Sequence, residues 1–151
     1  MSNTNILRTF LWFGEGQLDE ALPFYQSIFS DMQVMGANRM PNGKIFTAEL
    51  VIHDHSIIGM AVAGGPQFND AISLSLSVDG QDEVDRLWDA LTADGGEPGR
   101  CGWLKDRFGV SWQVTPFQMG QYLGNPDPAI REYAQQAMMG MSKIVIADFT
   151  R

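Results

Sequence analysis

Glu49 stands inside an apolar run, Phe46-Thr-Ala-Glu-Leu-Val-Ile52, where strand alternation puts Thr47 and Val51 on its face and Ala48 and Leu50 on the other. A carboxylate there has the chemistry of a general base if its face lines a pocket, and is an ion-paired surface group if that face is wet. Ser73, Ser75, Gln113 and Thr115 share one polar parity, each alternating with apolar neighbours. They read as hydrogen-bonding groups lining a cavity. Nucleophilic chemistry is not expected of the serines, because no histidine lies nearby in sequence to activate them. Trp12, Trp103, Trp112 and Phe68 could stack on a flat ligand or fill a core, and Trp112 belongs to the apolar face of its run.

The other reactive side chains are few. The two histidines form His53-Asp-His55, a triplet between two strand-like runs, which reads as a solvent-facing turn; a metal would need a third ligand. Cys101, the single cysteine, has Arg100 beside it but no histidine, and is expected to be a buried, inert thiol. Lys105, Asp106 and Arg107 are expected to form a turn with surface ion pairing, and Met138, Met139 and Met141 to fill gaps in packing.

Composition narrows the class. The chain has 151 residues, 44% of them hydrophobic, enough for one domain with its own core. A formal charge of −8 with no basic run disfavours nucleic acid as a partner. One cysteine excludes an intramolecular disulfide and fits a reducing compartment. The first residues lack the pattern of a secretion signal, and no apolar run reaches the roughly 18 residues that would span a bilayer, so the cytoplasm is expected and a membrane is not.

The elements that must position these groups follow from periodicity. Leu7 to Phe13 reads as a strand, and Leu18, Ala21, Leu22, Tyr25, Ile28 and Phe29 as one face of a helix with Pro23 tolerated in its first turns. Three strands are expected at Gln33 to Met40, Lys44 to His53 and Ser56 to Ala63, and Gly64-Gly-Pro66 breaks the sheet. The pattern restarts at Ala71 with Ile72, Leu74, Leu76 and Val78, continues in a helix buried through Val84, Leu87, Trp88 and Leu91, and closes in a hairpin from Cys101 to Val114. This is a repeat of about 65 residues, giving two βαβββ halves. The fold class is α+β, one domain over 1–151: a first module at about 6–64, a second at about 71–116, and a helical extension at 117–151. The extension is expected to hold a short helix to Leu123, a Met-rich helix from about Ala129 to Met141, and an apolar, extended Ile144 to Phe149. That tail must be covered by its own domain or by a partner, which favours a homodimer.

Trp12-Phe13, Ala21 with Phe24-Tyr25, Gly64-Gly-Pro66 with Phe68, Cys101-Gly-Trp-Leu-Lys-Asp-Arg-Phe-Gly109, Ser111-Trp-Gln113 and Met141-Ser-Lys-Ile144 together resemble the vicinal oxygen chelate superfamily. This is the glyoxalase and bleomycin-resistance fold, and the match narrows to its PhnB-like subgroup, often labelled 3-demethylubiquinone-9 3-methyltransferase domain. The resemblance implies curled mixed sheets, with metal ligands, in metal-dependent members, on the first, fourth, fifth and eighth strands. Carried over, those positions fall near Arg8 or Phe10, near Met60, at Ser73 and at Gln113. None is a good ligand for a divalent metal, so no metal and no other cofactor is expected. Neither Gly64-Gly65 nor Gly95-Gly96 forms the strand-to-helix turn that S-adenosylmethionine enzymes of the common type use, so methyl transfer is not expected. Lyases, dioxygenases, resistance enzymes and passive binders all share the fold. The first expectation is a metal-independent protein binding a small apolar or aromatic molecule through Phe10, Trp12, Met60, Ser73, Ser75, Trp103 and Gln113. The alternative is a glyoxalase- or dioxygenase-type enzyme with Glu49 as base.

Overall fold

A computed structural model describes residues 6–151, and the chain divides into two compact units, Met1–Phe68 and Asn69–Arg151. In the first, β1 (Thr9–Phe13), α1 (Gln17–Ile28), β2 (Gln33–Arg39), β3 (Ile45–Ile52) and β4 (His55–Ala61) follow the βαβββ order. The sheet runs β1-β4-β3-β2, with β1 parallel to β4 and the other pairs antiparallel. Alternation sorts its residues between two faces. Phe13, Ala48, Leu50, Ile52, Ile57 and Ala61 are buried, and α1, which packs on β3 and β4, buries Leu18, Ala21, Leu22, Tyr25 and Ile28. Burial of these side chains contributes about 1.5–3 kcal/mol each for the larger ones. A Cβ at Gly59 would stand 2.7 Å from Leu18 Cδ2, so the absence of a side chain there sets how closely α1 lies on the sheet. Pro23 lies in the middle of α1, not in its first turns, and its ring faces solvent while the helix continues past it.

The second unit repeats the order with β5 (Leu74–Val78), α2 (Gly80–Thr92), β6 (Glu97–Pro98), β7 (Trp103–Lys105) and β8 (Ser111–Pro116). Its sheet runs β5-β8-β7-β6, with β5 parallel to β8. α2 packs on β7 and β8 and buries Val84, Leu87, Trp88 and Leu91, while Asp82 and Glu83 in its first turn complement the helix dipole. The architecture is the expected α+β repeat of two mixed sheets.

Several local expectations are corrected. β5 starts at Leu74 instead of Ala71, because Asn69 Oδ1 accepts a hydrogen bond from the Ala71 amide in a local turn, and Ile72 is left exposed. The C-terminal segment forms α3 (Met119–Leu123) and α4 (Pro128–Met139), the latter capped by Asp127, whose side chain accepts from the Ala129 amide at 2.9 Å. Residues Ile146–Phe149 then coil into a 3-10 turn in place of the extended tail. Ile144 and Phe149 are buried with Ala134 and Met141, so this unit covers its own tail and the tail gives no reason for a second subunit. Met138 and Met141 do fill this packing, but Met139 is 71% exposed.

Candidate functional site

In the first unit the face opposite α1 carries the predicted side chains. Register places Phe10 beside Ile58 and Trp12 beside Met60 on the parallel pair, then Ile58 beside Glu49 and Met60 beside Thr47. The Phe10 and Trp12 rings lie 6.0 Å apart, and both are partly open to solvent. A Cβ at Gly65 would come within 3.1 Å of Trp12 Cε3, so the Gly64-Gly65 loop lies against the indole. Glu49 is a third exposed and paired with Arg8, whose Nη1 donates to Glu49 Oε1 at 3.1 Å. Among the described residues, Oε2 carries no hydrogen bond. Asn38 Nδ2 donates to Thr47 Oγ1 at 3.0 Å, extending the polar strip toward β2. Phe10, Trp12, Met60 and Glu49 are thus brought onto one apolar-aromatic face with one carboxylate.

In the second unit, Ser75 pairs with Gln113 across β5 and β8, and Gln113 pairs with Trp103 across β8 and β7. Gln113 Nε2 donates to Ser73 Oγ at 2.9 Å. Ser73, Ser75, Trp103 and Gln113 therefore form one patch, with Thr115 on the same parity but donating to the Leu76 carbonyl at 3.3 Å. Toward the edge, a cavity of about 560 Å³ is lined by Trp103 with Arg100, Cys101, Lys105, Asp70 and Glu97. Asp70 Oδ1, at its wall, joins β7 to β8: it accepts from Ser111 Oγ at 3.0 Å and pairs with Lys105 Nζ at 3.4 Å. Nothing in sequence marks this role, since the partners lie some 35 to 41 residues away from Asp70.

Other candidates divide between framework and surface. Trp112 and Phe68 are packing groups: Trp112 is buried, and Phe68 meets Phe13 edge-on at 5.5 Å. Asp106, expected in surface ion pairs, is instead buried as a hub. Its Oδ1 accepts the amides of Phe108 and Val110, and its Oδ2 accepts Trp112 Nε1, all within 3.1 Å. The turn needs those acceptors inside, since its amides point inward. Cys101 is half-buried rather than buried. It holds a left-handed φ of 54°, and its Sγ donates to the Met138 carbonyl at 3.3 Å.

His53 and Asp54 form the left-handed turn joining β3 to β4, and both histidines are exposed. His53 Nδ1 lies 2.7 Å from Asp31 Oδ2, and His55 Nε2 shares a 2.8 Å hydrogen bond with Thr9 Oγ1. Among the described residues no group of three or more His, Cys, Asp or Glu side chains is placed to hold a metal ion. At the positions that carry ligands in metal-dependent proteins of this fold, Ser73 and Gln113 are hydrogen-bonded to each other, and neutral hydroxyl and amide donors fit a divalent metal poorly.

Residues 5–115 match the family model described as 3-demethylubiquinone-9 3-methyltransferase. The chain belongs to this family. A member from Bacillus cereus, described as a putative 3-demethylubiquinone-9 3-methyltransferase, PhnB protein, is 25% identical, with a TM-score of 0.67 over 74% of this chain and 99% of that one. Protein PA1353 from Pseudomonas aeruginosa is 24% identical, covering 73% and 97%, with a TM-score of 0.57. The fosfomycin resistance protein FosX from Listeria monocytogenes, solved with Mn(II) and sulfate, shares the fold at 16% identity, 74% and 90% coverage and a TM-score of 0.56. No curated protein matches. The PhnB-like family and its vicinal oxygen chelate fold account for the two mixed sheets.

Proposed function

We propose that this PhnB-like protein binds a small apolar or aromatic molecule on the concave sheet faces without using a resident metal. One observation carries the reading: Gln113 and Ser73 satisfy each other where metal ligands would stand, beside Trp103 and its 560 Å³ cavity. A volume of that order suits a small ligand. The half-buried indole at the cavity wall supplies a stacking surface, and Ser75 and the amide oxygen of Gln113, on the adjoining strands of the same face, supply orienting hydrogen bonds. Methyl transfer is not part of this reading. S-adenosylmethionine enzymes of the common type need a Gly-rich turn from a parallel strand into a helix, whereas Gly64-Gly65 follows β4 into a loop and Gly95 ends the α2 region. Action in the cytoplasm and a homodimeric state belong to the same proposal. Sedimentation equilibrium tests the dimeric state.

A second reading makes Glu49 a general base, favoured by Oε2 standing without a hydrogen bond on a face shared with Phe10 and Trp12. Thermal-shift screening of aromatic metabolites and antibiotics tests both. Binding through the second sheet predicts a rise in Tm that Trp103→Ala removes and Glu49→Gln leaves intact. Turnover of a binding compound that Glu49→Gln abolishes would replace passive binding by the second reading. No Trp103-dependent shift across the panel would reject the first.

A further inference from the structure

Beyond the residues that match the family lies a second cavity of about 500 Å³, built within the C-terminal extension. Its walls are aromatic. Tyr122 of α3 stacks on Phe149 with centroids 5.4 Å apart and planes 12° from parallel, presenting a flat surface backed by the buried tail. Tyr133 of α4 also lines the cavity, with the Arg151 guanidinium over its ring at 4.9 Å. Ile130 adds an apolar wall that is 40% exposed, and Gln121 adds an amide that forms no hydrogen bond among the described residues.

The chemistry of this lining is specific. The outward face of Tyr122, backed by Phe149, favours a planar ring, and a guanidinium already seated on a tyrosine face has donors free to bind a carboxylate in bidentate fashion. Arg151 has no carboxylate partner among the described residues. The nearby Arg131 spends its Nη1 on the Asn125 carbonyl at 2.7 Å, bracing the loop that borders the cavity. In a chain of formal charge −8, a guanidinium held on a tyrosine face at an aromatic-lined cavity is a recognition feature rather than a solubility one. We infer that the C-terminal extension is a second small-molecule site, selective for planar aromatic carboxylates, with Tyr122, backed by the buried Phe149, and Tyr133 holding the ring and Arg151 the carboxylate. It does not rest on the sheet-face reading.

The test uses 2-naphthoate and its neutral counterpart 2-naphthylmethanol as probes, followed by amide NMR shifts on the full chain. Naphthoate is expected to move the amides of 121–123, 129–133 and 149–151, and to bind at least about tenfold more tightly than the alcohol. Arg151→Gln should erase that preference while leaving the alcohol's affinity unchanged, a control that also reports intact folding. Trp103→Ala, which disables the other candidate site, should leave these shifts in place. Equal affinity for acid and alcohol, an unchanged preference in Arg151→Gln, or shifts confined to β5, β7 and β8 would each overturn the inference. So would broadening of the same amides with protein concentration alone, which would assign the cavity to a second copy of the chain.

Discussion

Asp106 shows how one buried carboxylate can organise the hairpin on which the second sheet face depends. Its two oxygens serve different donors, two amides on Oδ1 and the Trp112 indole on Oδ2, and Trp112 flanks Gln113 in β8. Asparagine matches the shape but has only one acceptor atom, so one side must face an N–H with another N–H. Asp106→Asn is therefore expected to lose about 1–3 kcal/mol of stability, the usual cost of leaving a buried donor without its acceptor. The urea midpoint at unchanged slope measures this, and a loss under about 0.5 kcal/mol would show that the hub is dispensable. The polar parity of Ser73, Ser75 and Gln113 was readable from alternation alone, and so was the inward face of Trp112. The burial of Asp106 was not: Lys-Asp-Arg-Phe-Gly has the composition of a solvated turn, and only the inward direction of its amides makes the carboxylate a core group.

At the scale of elements, α2 holds the C-terminal tail through two of its side chains, Gln81 and Asp85. Gln81 Nε2 donates to the Ile144 carbonyl and its Oε1 accepts the Ile146 amide, at 2.9 and 2.8 Å. Asp85 accepts from Gln81 and pairs with Lys143 at 2.8 Å. The hydrogen bond from Lys143, then that from Gln81, hold the Asp85 carboxyl below its ordinary value against a smaller opposing effect of burial. A depressed folded-state value means that this anchoring is complete above the ordinary aspartate range and is lost as pH falls through the lower folded value. Exchange protection of the Ile146 amide, corrected for intrinsic rate, should accordingly fall in that acid window. Asp85→Asn should remove the acid step, and Gln81→Ala should lower protection at every pH. A pH-independent Ile146 amide in the native chain would contradict the clamp. The periodic elements, α1, α2 and most strands, were legible because each buries a regular stripe of apolar side chains. The tail coils instead of extending because its side chains pack on α3 and α4 and its backbone is held by Gln81, more than 60 residues away, and alternation over Ile144 to Phe149 carries no trace of those partners.

For the molecule as a whole, the question is whether stability is tied to a metal, as family resemblance alone would raise. A divalent ion bound to the native state at one hundred times its dissociation constant would add about 2.7 kcal/mol. In a chain of this size that corresponds to roughly 5–10 °C in Tm. The donors at the four strand positions argue against such a term: Ser73 and Gln113 are engaged with each other, Met60 is a soft thioether, and Arg8 is a cation already paired with Glu49. Full-chain protein purified without chelator is thus expected to carry under ~0.1 divalent ion per chain by elemental mass spectrometry. Its Tm should move by less than about 1 °C on adding excess chelator, and no further on adding back Mn(II) or Zn(II). A chelator-sensitive Tm restored by Mn(II) would mean that a ligand set other than these side chains holds the ion, and would put metal-assisted chemistry ahead of metal-free binding.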